Sequence, residues 1–311
     1  MWRPDWPVPV EQILSQSRHG RGDPTYKIDL QGRHWRALGT PEGPATLVIQ
    51  ARPAEGEVYA AAWGRGRDWA LEQVPAMLGA EDDPSGFDPR EPVLHELWRQ
   101  HSHHRFGRTG LVMEALVPAI IEQKVTGQEA FGSFRDLVLR YGNAAPGPGH
   151  DLKLQIQPDA DTLRTIPSWE WLKLSIDPAR SRAVVISARN AAALERTLRL
   201  DPAEAERALR SQPGIGEWTA AEVRQRAFGD ADAVSFGDYH VAKDIGWVMR
   251  GEAMTDDELR EYLEPWRPHR GRVQALLALG GRHRPRRGPR MTPRTHLPVE
   301  RVRPPSPRRV G

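Results

Sequence analysis

Hydrophobic and polar positions follow two different periods along this chain. Between residues 24 and 64, short stretches rich in β-branched and aromatic residues alternate with turns rich in Gly, Pro and Glu, such as the one at residues 40–44. This pattern predicts the strands of an antiparallel sheet. A short helix is predicted for residues 68–79, and a run of helix-breaking residues at 82–86 ends this first unit.

From about Pro92 onward the pattern is helical, because apolar residues recur at positions i, i+3 and i+4. Thr255 and Glu258 form a capping box at one predicted helix start. Between the helices, the residues at 144–150 are rich in Pro and Gly and predict a loop.

These patterns and the length of 311 residues predict an α+β protein with two folded units and a tail. A small N-terminal antiparallel α/β domain is expected over residues 1–90 and an all-α domain over residues 91–280. Residues 281–311 are dominated by Pro and Arg, so we expect a disordered basic tail there.

The positive charge of the chain is concentrated in the predicted tail, and the predicted folded part is mildly acidic. Ten arginines and one acid, Glu300, lie between residues 281 and 311, whereas the whole chain has a net charge of only +3. The remaining 280 residues therefore carry a net charge of about −6. The high pI is weak evidence for a nucleic-acid groove in the folded part, and better evidence for an arm that contacts phosphates nonspecifically.

The composition also excludes several kinds of chemistry. The chain has no cysteine, so disulfides, thiolate metal sites, iron–sulfur clusters and cysteine nucleophiles are absent. No apolar run is long enough to span a bilayer, and the first residues lack the layout of a secretion signal. We therefore expect a cytoplasmic protein that does not bind a membrane.

The most informative segment covers residues 209–249. A predicted helix over residues 203–211 meets the sequence Pro213-Gly214-Ile215-Gly216, and a second helix begins after it. Two glycines around one apolar residue permit a tight turn, with Ile215 as a core anchor and free N–H groups at the start of the second helix. Such groups bind a phosphate without reading sequence. An ordinary turn between two helices would look the same.

Further residues after this hairpin make the pattern more specific, because an Asp-Tyr pair follows about twenty residues later. The segment resembles the HhH-GPD superfamily of helix-hairpin-helix DNA glycosylases, and within it the AlkA-like branch, DNA-3-methyladenine glycosylase II. The resemblance extends from roughly residue 25 to residue 280. The matching positions are Leu209, Pro213, Gly214, Ile215, Gly216, Trp218, Thr219, Ala220, Asp238 and Tyr239.

The resemblance implies that the all-α domain is a helix-hairpin-helix glycosylase domain and that Asp238 is the catalytic carboxylate. Breaking an N-glycosidic bond builds positive charge on the sugar, and a carboxylate nearby stabilises that charge or orients a water. The alternative role for Asp238 is that of an N-cap for the helix that follows, and the two roles are compatible.

The residue at the start of the second helix bears on the type of reaction. Relatives that also cut the DNA backbone carry a lysine at the position of Trp218, where its amine forms a Schiff base. The resemblance therefore implies hydrolysis without AP-lyase activity. It also implies a base pocket formed by Trp218, Tyr239 and Glu222. The alternatives are a Trp218 that braces the hairpin and a Glu222 exposed on its helix.

Two pocket positions depart from the AlkA type. Glu222 replaces a tyrosine and Ala275 replaces a tryptophan, so this pocket would favour a cationic base by charge as much as by stacking. The same departures leave open a preference for deaminated or oxidised bases.

The resemblance also implies contacts that open the duplex. The family places a wedge residue in the loop after a Pro-Ala-Ile-like stretch, which here holds Gln123, Lys124 and Val125. Lys124 stands where the AlkA type has an apolar wedge, so Gln123 or Val125 are alternatives. Pro213, Gly214, Ile215, Gly216 and Thr219 are the further DNA-binding residues that the resemblance implies.

Metal chemistry is not expected. His101, His103 and His104 resemble metal-ligand spacing but have no matching carboxylate pattern, and the family needs no catalytic metal or other cofactor. The resemblance does allow a structural monovalent cation at the backbone carbonyls of Gln212 and Ile215.

Trp169 and Trp171 lie at an apolar helix start and are expected in the core.

The function implied is that of a monofunctional DNA glycosylase that removes flipped-out alkylated bases, mainly 3-methyladenine and 7-methylguanine, in base excision repair. The partner implied is damaged double-stranded DNA. We expect a monomer associated with a bacterial nucleoid. The alternatives are activity on deaminated or oxidised bases in the same fold, and a module that binds damaged DNA without cutting it.

Overall fold

The structure is a computed structural model that describes residues 1–285. An antiparallel sheet lies at its N-terminal end, with its strands in chain order. Its strands are β1 (Tyr26–Ile28), β2 (His34–Thr40), β3 (Gly43–Arg52) and β4 (Glu57–Gly64). The predicted strands and the predicted α+β class are confirmed.

Two short helices follow the sheet where the sequence predicts one, and a further short helix precedes it. They are α1 (Val10–Leu14), α2 (Arg67–Glu72) and α3 (Val74–Met77). The prediction of a single helix over residues 68–79 is wrong because Pro75 lacks a backbone N–H and restricts the residue before it.

The rest of the described chain is mainly helical. Its helices are α4 (Pro92–His101), α5 (Val112–Ile121), α6 (Gly127–Tyr141), α7 (Pro148–Asp151), α8 (Ala160–Thr165), α9 (Ser168–Lys173), α10 (Pro178–Arg189), α11 (Ala191–Arg196), α12 (Pro202–Arg210), α13 (Glu217–Val223), α14 (Val241–Arg250), α15 (Asp256–Leu263) and α16 (Arg270–Leu279). The capping box of Thr255 and Glu258 is present at the start of α15. A π-helical turn, Arg224–Phe228, extends α13.

Two apolar clusters hold the helices in place. The larger one is built around α5, which is almost entirely buried, and it includes Trp171 and Ile215. The second one joins α4, α14, α15 and α16. Trp171 is therefore a core residue as predicted, whereas Trp169 is 62% exposed and the same prediction for it is wrong. Trp169 and Trp171 are two residues apart, so a single helix turn cannot point both of them inward.

A strand pair within the helical part packs against the N-terminal sheet. β5 (Asn143–Ala144) and β6 (Gln155–Ile156) are antiparallel. The region predicted as a plain loop at residues 144–150 therefore lies between two paired strands and includes the first residues of α7. Ala145 and Ile156 share a buried cluster with Trp35 of β2. The strand pair is stabilised by packing between residues far apart in the sequence, which the local content of Pro and Gly does not reveal.

Polar contacts also join the sheet to the helices. The guanidinium of Arg36 on β2 is buried and pairs with Glu114 on α5.

The division of the chain at residue 90 stays a prediction. Most of the predicted tail, residues 286–311, lies outside the described residues. Of the described part, Arg282 pairs with Glu96 at 3.3 Å, and the backbone N–H of Arg284 donates to Asp244.

No helix within residues 1–285 is long and apolar enough to cross a membrane.

Candidate active site and nucleic-acid interface

The predicted hairpin between α12 and α13 is present. The backbone of Gly214 has a φ of +86°, and a side-chain carbon there would lie 2.8 Å from Cβ of Ala183 on α10. Gly214 is therefore required by both conformation and space. Gly216 differs, because it is extended (φ −91°, ψ −177°) and a carbon added to it would meet no atom of residues 1–285 within 4 Å. Ile215 between them is 5% exposed and anchors the hairpin in the core as predicted.

The loop that follows α5 is fastened to this hairpin by Gln123. Its side-chain amide donates to the carbonyl of Gly214 at 2.9 Å and to the hydroxyl of Thr219 at 2.8 Å. Thr219 is only 2% exposed. Thr219 and Gln123, which were expected to contact DNA, therefore use their side chains to hold the loop against the hairpin. The buried side chain of Thr219 does not face solvent, and the contact with DNA expected of Thr219 stays a prediction.

Lys124 lies at the exposed apex of that loop. Its φ of +55° is in the left-handed region, which is uncommon for a residue other than glycine. Such strained backbone persists where its surroundings fix it, and it clusters at functional sites. Val125 next to it is half-buried. Lys124 is thus the member of the predicted wedge segment that projects furthest into solvent.

An arginine that the sequence analysis did not single out holds the other side of this loop. Arg180 at the start of α10 is 5% exposed, and its guanidinium donates to the carbonyls of Ile121 and Ser175 and to Asp177. Ile121 is the last residue of α5, and Ser175 has a φ of +60°. Arg180 therefore connects the loop after α5 with the turn between α9 and α10.

The opposite end of α5 is fixed by a carboxylate. Both oxygens of Glu195 on α11 accept backbone N–H groups at the first turn of α5, from Val112 at 2.9 Å and from Met113 at 2.8 Å. Burial raises the pKa of Glu195, while these two hydrogen bonds act in the other direction. The helix that carries the loop is thus held at both ends.

Asp238 lies in the turn that begins α14. Its Oδ1 accepts the backbone N–H groups of His240 at 2.7 Å and Val241 at 3.1 Å, so Asp238 holds the start of α14, although the residue at the N-cap position is His240. Asp238 is half-buried, and among the described residues its second oxygen, Oδ2, has no hydrogen-bond donor. The carboxylate therefore combines a fixed orientation with one oxygen free to face a ligand.

The Asp238 turn packs against the start of α13. Gly237 has a φ of +85°, and a carbon added to it would lie 3.9 Å from Cβ of Trp218. Arg260 on α15 bonds Glu217 at 2.7 Å and covers the ring of Phe236 at 4.1 Å. The Glu217 carboxylate raises the pKa of Arg260, which keeps this contact charged. The turn that holds Asp238 therefore approaches half-buried Trp218 through Gly237, and the shared site of Asp238 and Trp218 stays a prediction.

Glu222 is buried, so the alternative of an exposed glutamate is wrong. It is 8% exposed, and its carboxylate pairs with Arg226 at 2.5 Å and accepts the hydroxyl of Ser235 at 2.6 Å. Burial acts to lower the pKa of Arg226, but the Glu222 carboxylate raises it. Because Arg226 balances the charge, Glu222 does not offer the free negative charge that was expected to attract a cationic base.

A small polar network continues from Glu222. The side chain of Gln274 on α16 donates to the hydroxyl of Ser235 at 3.0 Å and accepts its backbone N–H at 3.0 Å. Ala275 beside it is half-buried. Tyr239, the remaining pocket residue expected, is 69% exposed, and Nζ of Lys243 lies 3.7 Å from its ring centre.

Two further predictions concern ions. The carbonyl of Gln212 accepts the N–H of Ile215 within the hairpin, and a monovalent cation there stays a prediction. Within residues 1–285 no group of three His, Asp or Glu side chains is arranged to hold a metal. Of the histidines with metal-like spacing, His104 is buried and bonds the amide of Gln16.

Comparisons with known proteins agree with this geometry. No family model matches the chain. Over 216 residues it is 30% identical to the probable bifunctional transcriptional activator/DNA repair enzyme AlkA of Mycobacterium tuberculosis, a match that covers 65% of this chain and 40% of that protein. The chain thus spans less than half the length of this relative.

Solved structures extend the likeness to most of the chain. The 3-methyladenine DNA glycosylase of Archaeoglobus fulgidus superposes with a TM-score of 0.75 at 19% identity, covering 89% of this chain and 98% of that one. The chain has the fold of the DNA glycosylases. An 8-oxoguanine glycosylase/lyase of Clostridium acetobutylicum, in complex with double-stranded DNA, also superposes, with a TM-score of 0.68 at 14% identity, 88% and 92% being covered. The AlkA-like resemblance predicted from the hairpin segment is confirmed.

Proposed function

We propose that this chain is a monofunctional DNA glycosylase that hydrolyses the N-glycosidic bond of a flipped-out damaged base. The observation that carries the proposal is the position of Asp238, which is held by backbone N–H groups in a turn whose Gly237 approaches Trp218. A fixed carboxylate with a free oxygen suits the stabilisation of positive charge on the sugar. Its preorganised orientation means that little rearrangement is needed during the reaction.

The partner proposed is double-stranded DNA, gripped through the hairpin. Gly216 leaves open space in front of the first N–H groups of α13, so a phosphate can approach them closely. The chain acts as a monomer in this proposal, and the grip carries no sequence information. Base excision repair is the process in which it would act.

Lys124 is the wedge in this proposal. Gln123 cannot enter the stack while its amide is bonded to the hairpin, and Val125 is less exposed than Lys124. A lysine can fill the space left by an extruded nucleotide with its methylenes while its ammonium reaches a phosphate.

Alkylated purines, 3-methyladenine and 7-methylguanine, are the substrates we propose, because they leave with little protonation by the enzyme. Trp218 offers an aromatic face to such electron-poor bases. Because Arg226 neutralises Glu222, Glu222 gives the pocket no free negative charge that would select cationic bases. Activity on deaminated or oxidised bases is therefore the alternative. A panel of duplexes that carry methylpurines, hypoxanthine, uracil and 8-oxoguanine separates these alternatives by the rate of base release.

The decisive variant is Asp238→Asn. Asparagine caps a helix about as well as aspartate, so the fold and duplex binding are expected to persist. Base release from methylated DNA is expected to fall at least about 100-fold because the charge on the carboxylate is lost. The matched control is Asp244→Asn on the same helix, which should release bases at the wild-type rate.

Excision at an unchanged rate by Asp238→Asn would contradict the assignment of the catalytic carboxylate. If the wild type released no base from any lesion duplex, it would instead be a binding module. Borohydride trapping with abasic DNA tests the absence of lyase activity, since a Schiff base needs an amine that Trp218 does not have. A trapped covalent complex would contradict that part of the proposal.

A further inference from the structure

Three side chains next to the candidate active site lie in the turn before α14 and on α14 itself: Tyr239 precedes the helix, and Lys243 and Trp247 belong to it. Tyr239, Lys243 and Trp247 are spaced four residues apart, which places Lys243 and Trp247 on one side of the helix. Tyr239 is 69% exposed and Trp247 is 43% exposed. We refer to these three residues as the α14 row.

This row is not part of the core. The helix packs inward through Ala242, Ile245 and Gly246, all of which are buried, and Trp247 is absent from the cluster that they help to form. Exposed single aromatics need no explanation, but here two exposed aromatics lie four residues before and four residues after a lysine.

The charge of the row is positive and available. Nζ of Lys243 lies 3.7 Å from the ring centre of Tyr239, and within residues 1–285 it has no carboxylate partner. Of the two acids nearest in sequence, Asp244 accepts the backbone N–H of Arg284, and Asp238 accepts the N–H groups of His240 and Val241 through Oδ1. Lys243 can therefore meet a phosphate without first leaving an ion pair.

We propose that the α14 row binds single-stranded DNA, so that nucleotides adjoining the one at Asp238 stack on Trp247 and Tyr239 while Lys243 contacts the backbone. This proposal rests on the proposed function, because the row begins at the residue that directly follows Asp238. Aromatic platforms with interleaved cations are the usual means of binding single strands without sequence preference.

The chemistry of the row favours a single strand over a duplex. The four-residue step of helix from Lys243 to Trp247 extends about 6 Å along the axis, which is about two nucleotide steps of about 3.4 Å in a stacked strand. The bases of an intact duplex do not expose their faces to side rings, whereas unpaired bases do.

The test compares aromatic with merely apolar side chains at one position. Trp247→Phe keeps a ring and Trp247→Leu keeps apolar area without one. The affinity of the full chain for a fluorescent, undamaged 12-nucleotide strand is expected to fall at least about fivefold in Trp247→Leu and much less in Trp247→Phe. The ratio of single-strand to duplex affinity should fall with it.

Lys243→Gln supplies a second and independent measurement. Loss of one phosphate contact should reduce the slope of log affinity against log salt by about 0.7 for a single strand. The matched control is Tyr59→Leu. Tyr59 on β4 is 40% exposed and has Arg52 stacked over it at 5.1 Å, so it is a similar pair away from Asp238. Its replacement should change neither quantity.

Wild-type single-strand affinity in folded Trp247→Leu together with an unchanged salt slope in Lys243→Gln would overturn the proposal. A change in oligomeric state in these variants, with single-strand binding intact, would also overturn it and identify the row as a protein contact. Because the strand carries no lesion, these results do not depend on base excision. Failure of the proposed function appears instead in the Asp238→Asn assay.

Discussion

At the scale of single residues, the site depends on buried arginines that hold backbone segments in place. Arg180 is the clearest case, because its guanidinium satisfies the carbonyls of Ile121 and Ser175 at two loops that both contain a non-glycine residue with positive φ. Removing a donor from buried acceptors costs more than the net worth of the hydrogen bonds themselves.

Arg180→Met is therefore expected to lower the free energy of unfolding by about 2–3 kcal/mol. Arg182→Met on the same helix should change it by less than about 0.5 kcal/mol, because Arg182 is exposed and, among residues 1–285, donates only to the carbonyl of Pro178. Urea denaturation at constant m-value measures both. Equal stability of the two variants would show that the loops hold their shape without Arg180.

Residues such as Arg180 and Glu222 also show what the sequence could not provide. Ile215 could be placed because turn chemistry is a local property of the chain, whereas the roles of Asp238 and Trp218 were implied by the family resemblance. The burial of Glu222 depends on Ser235 and on Arg226 at the end of the same helix, so it could not be read from the helix face alone. Trp169 was misplaced for a similar reason, since only tertiary packing decides which tryptophan of the pair lies inside.

At the scale of elements, the two glycines of the hairpin between α12 and α13 have different roles: one permits the tight turn, and the other leaves room for a ligand. Gly214 has a left-handed backbone and contacts Ala183, whereas Gly216 is extended and faces open space. The first glycine is needed for folding, and the second one leaves room for a ligand.

Gly214→Ala is expected to lower the free energy of unfolding by about 1–3 kcal/mol because of strain and overlap. Gly216→Ala should leave the free energy of unfolding within about 0.5 kcal/mol of wild type, yet weaken duplex binding, since the added methyl stands where a phosphate would approach. Thermal unfolding and a duplex-binding titration distinguish the two. Unweakened binding in Gly216→Ala would show that the backbone at this point does not approach DNA.

At the scale of the whole molecule, the predicted architecture of a sheet followed by helices is confirmed, but the contacts that unite these parts were not anticipated. The carbonyl of Gln16 accepts Arg226 from the π-helical turn after α13, and the amide of Gln16 bonds His104. His104 was considered as a metal ligand on spacing alone. Because it is buried and contacts Gln16, His104 helps to join the N-terminal segment to the helical part of the chain.

His104 also makes stability depend on pH. Burial, followed by the charge of Arg272, lowers the pKa of His104 from 6.5 to about 4. The unfolded chain therefore takes up a proton below about pH 6.5 that the folded protein does not take up until about pH 4, so stability is complete above pH 6.5 and falls towards pH 4. The loss amounts to about 3 kcal/mol.

His104→Gln, which keeps a polar side chain at this position without titrating, should flatten the decrease in unfolding free energy between pH 6.5 and pH 4. His150→Gln on α7 is the control, because His150 is exposed and should leave the wild-type dependence intact. If the free energy of unfolding fell with pH by the same amount in His104→Gln and in the wild type, the decrease would be due to other groups.

The strand pair of β5 and β6 has a consequence for the order in which the protein is made. The sheet is complete once Gly64 has been synthesised, but the apolar cluster around Trp35 is closed only by Ile156, about 90 residues later. At roughly 5–20 residues per second the ribosome needs about 5–20 s to supply it. During that interval the apolar side chains around Trp35 lack the partners that bury them in the folded protein, so this side of the sheet can be covered only after Ile156 has been synthesised.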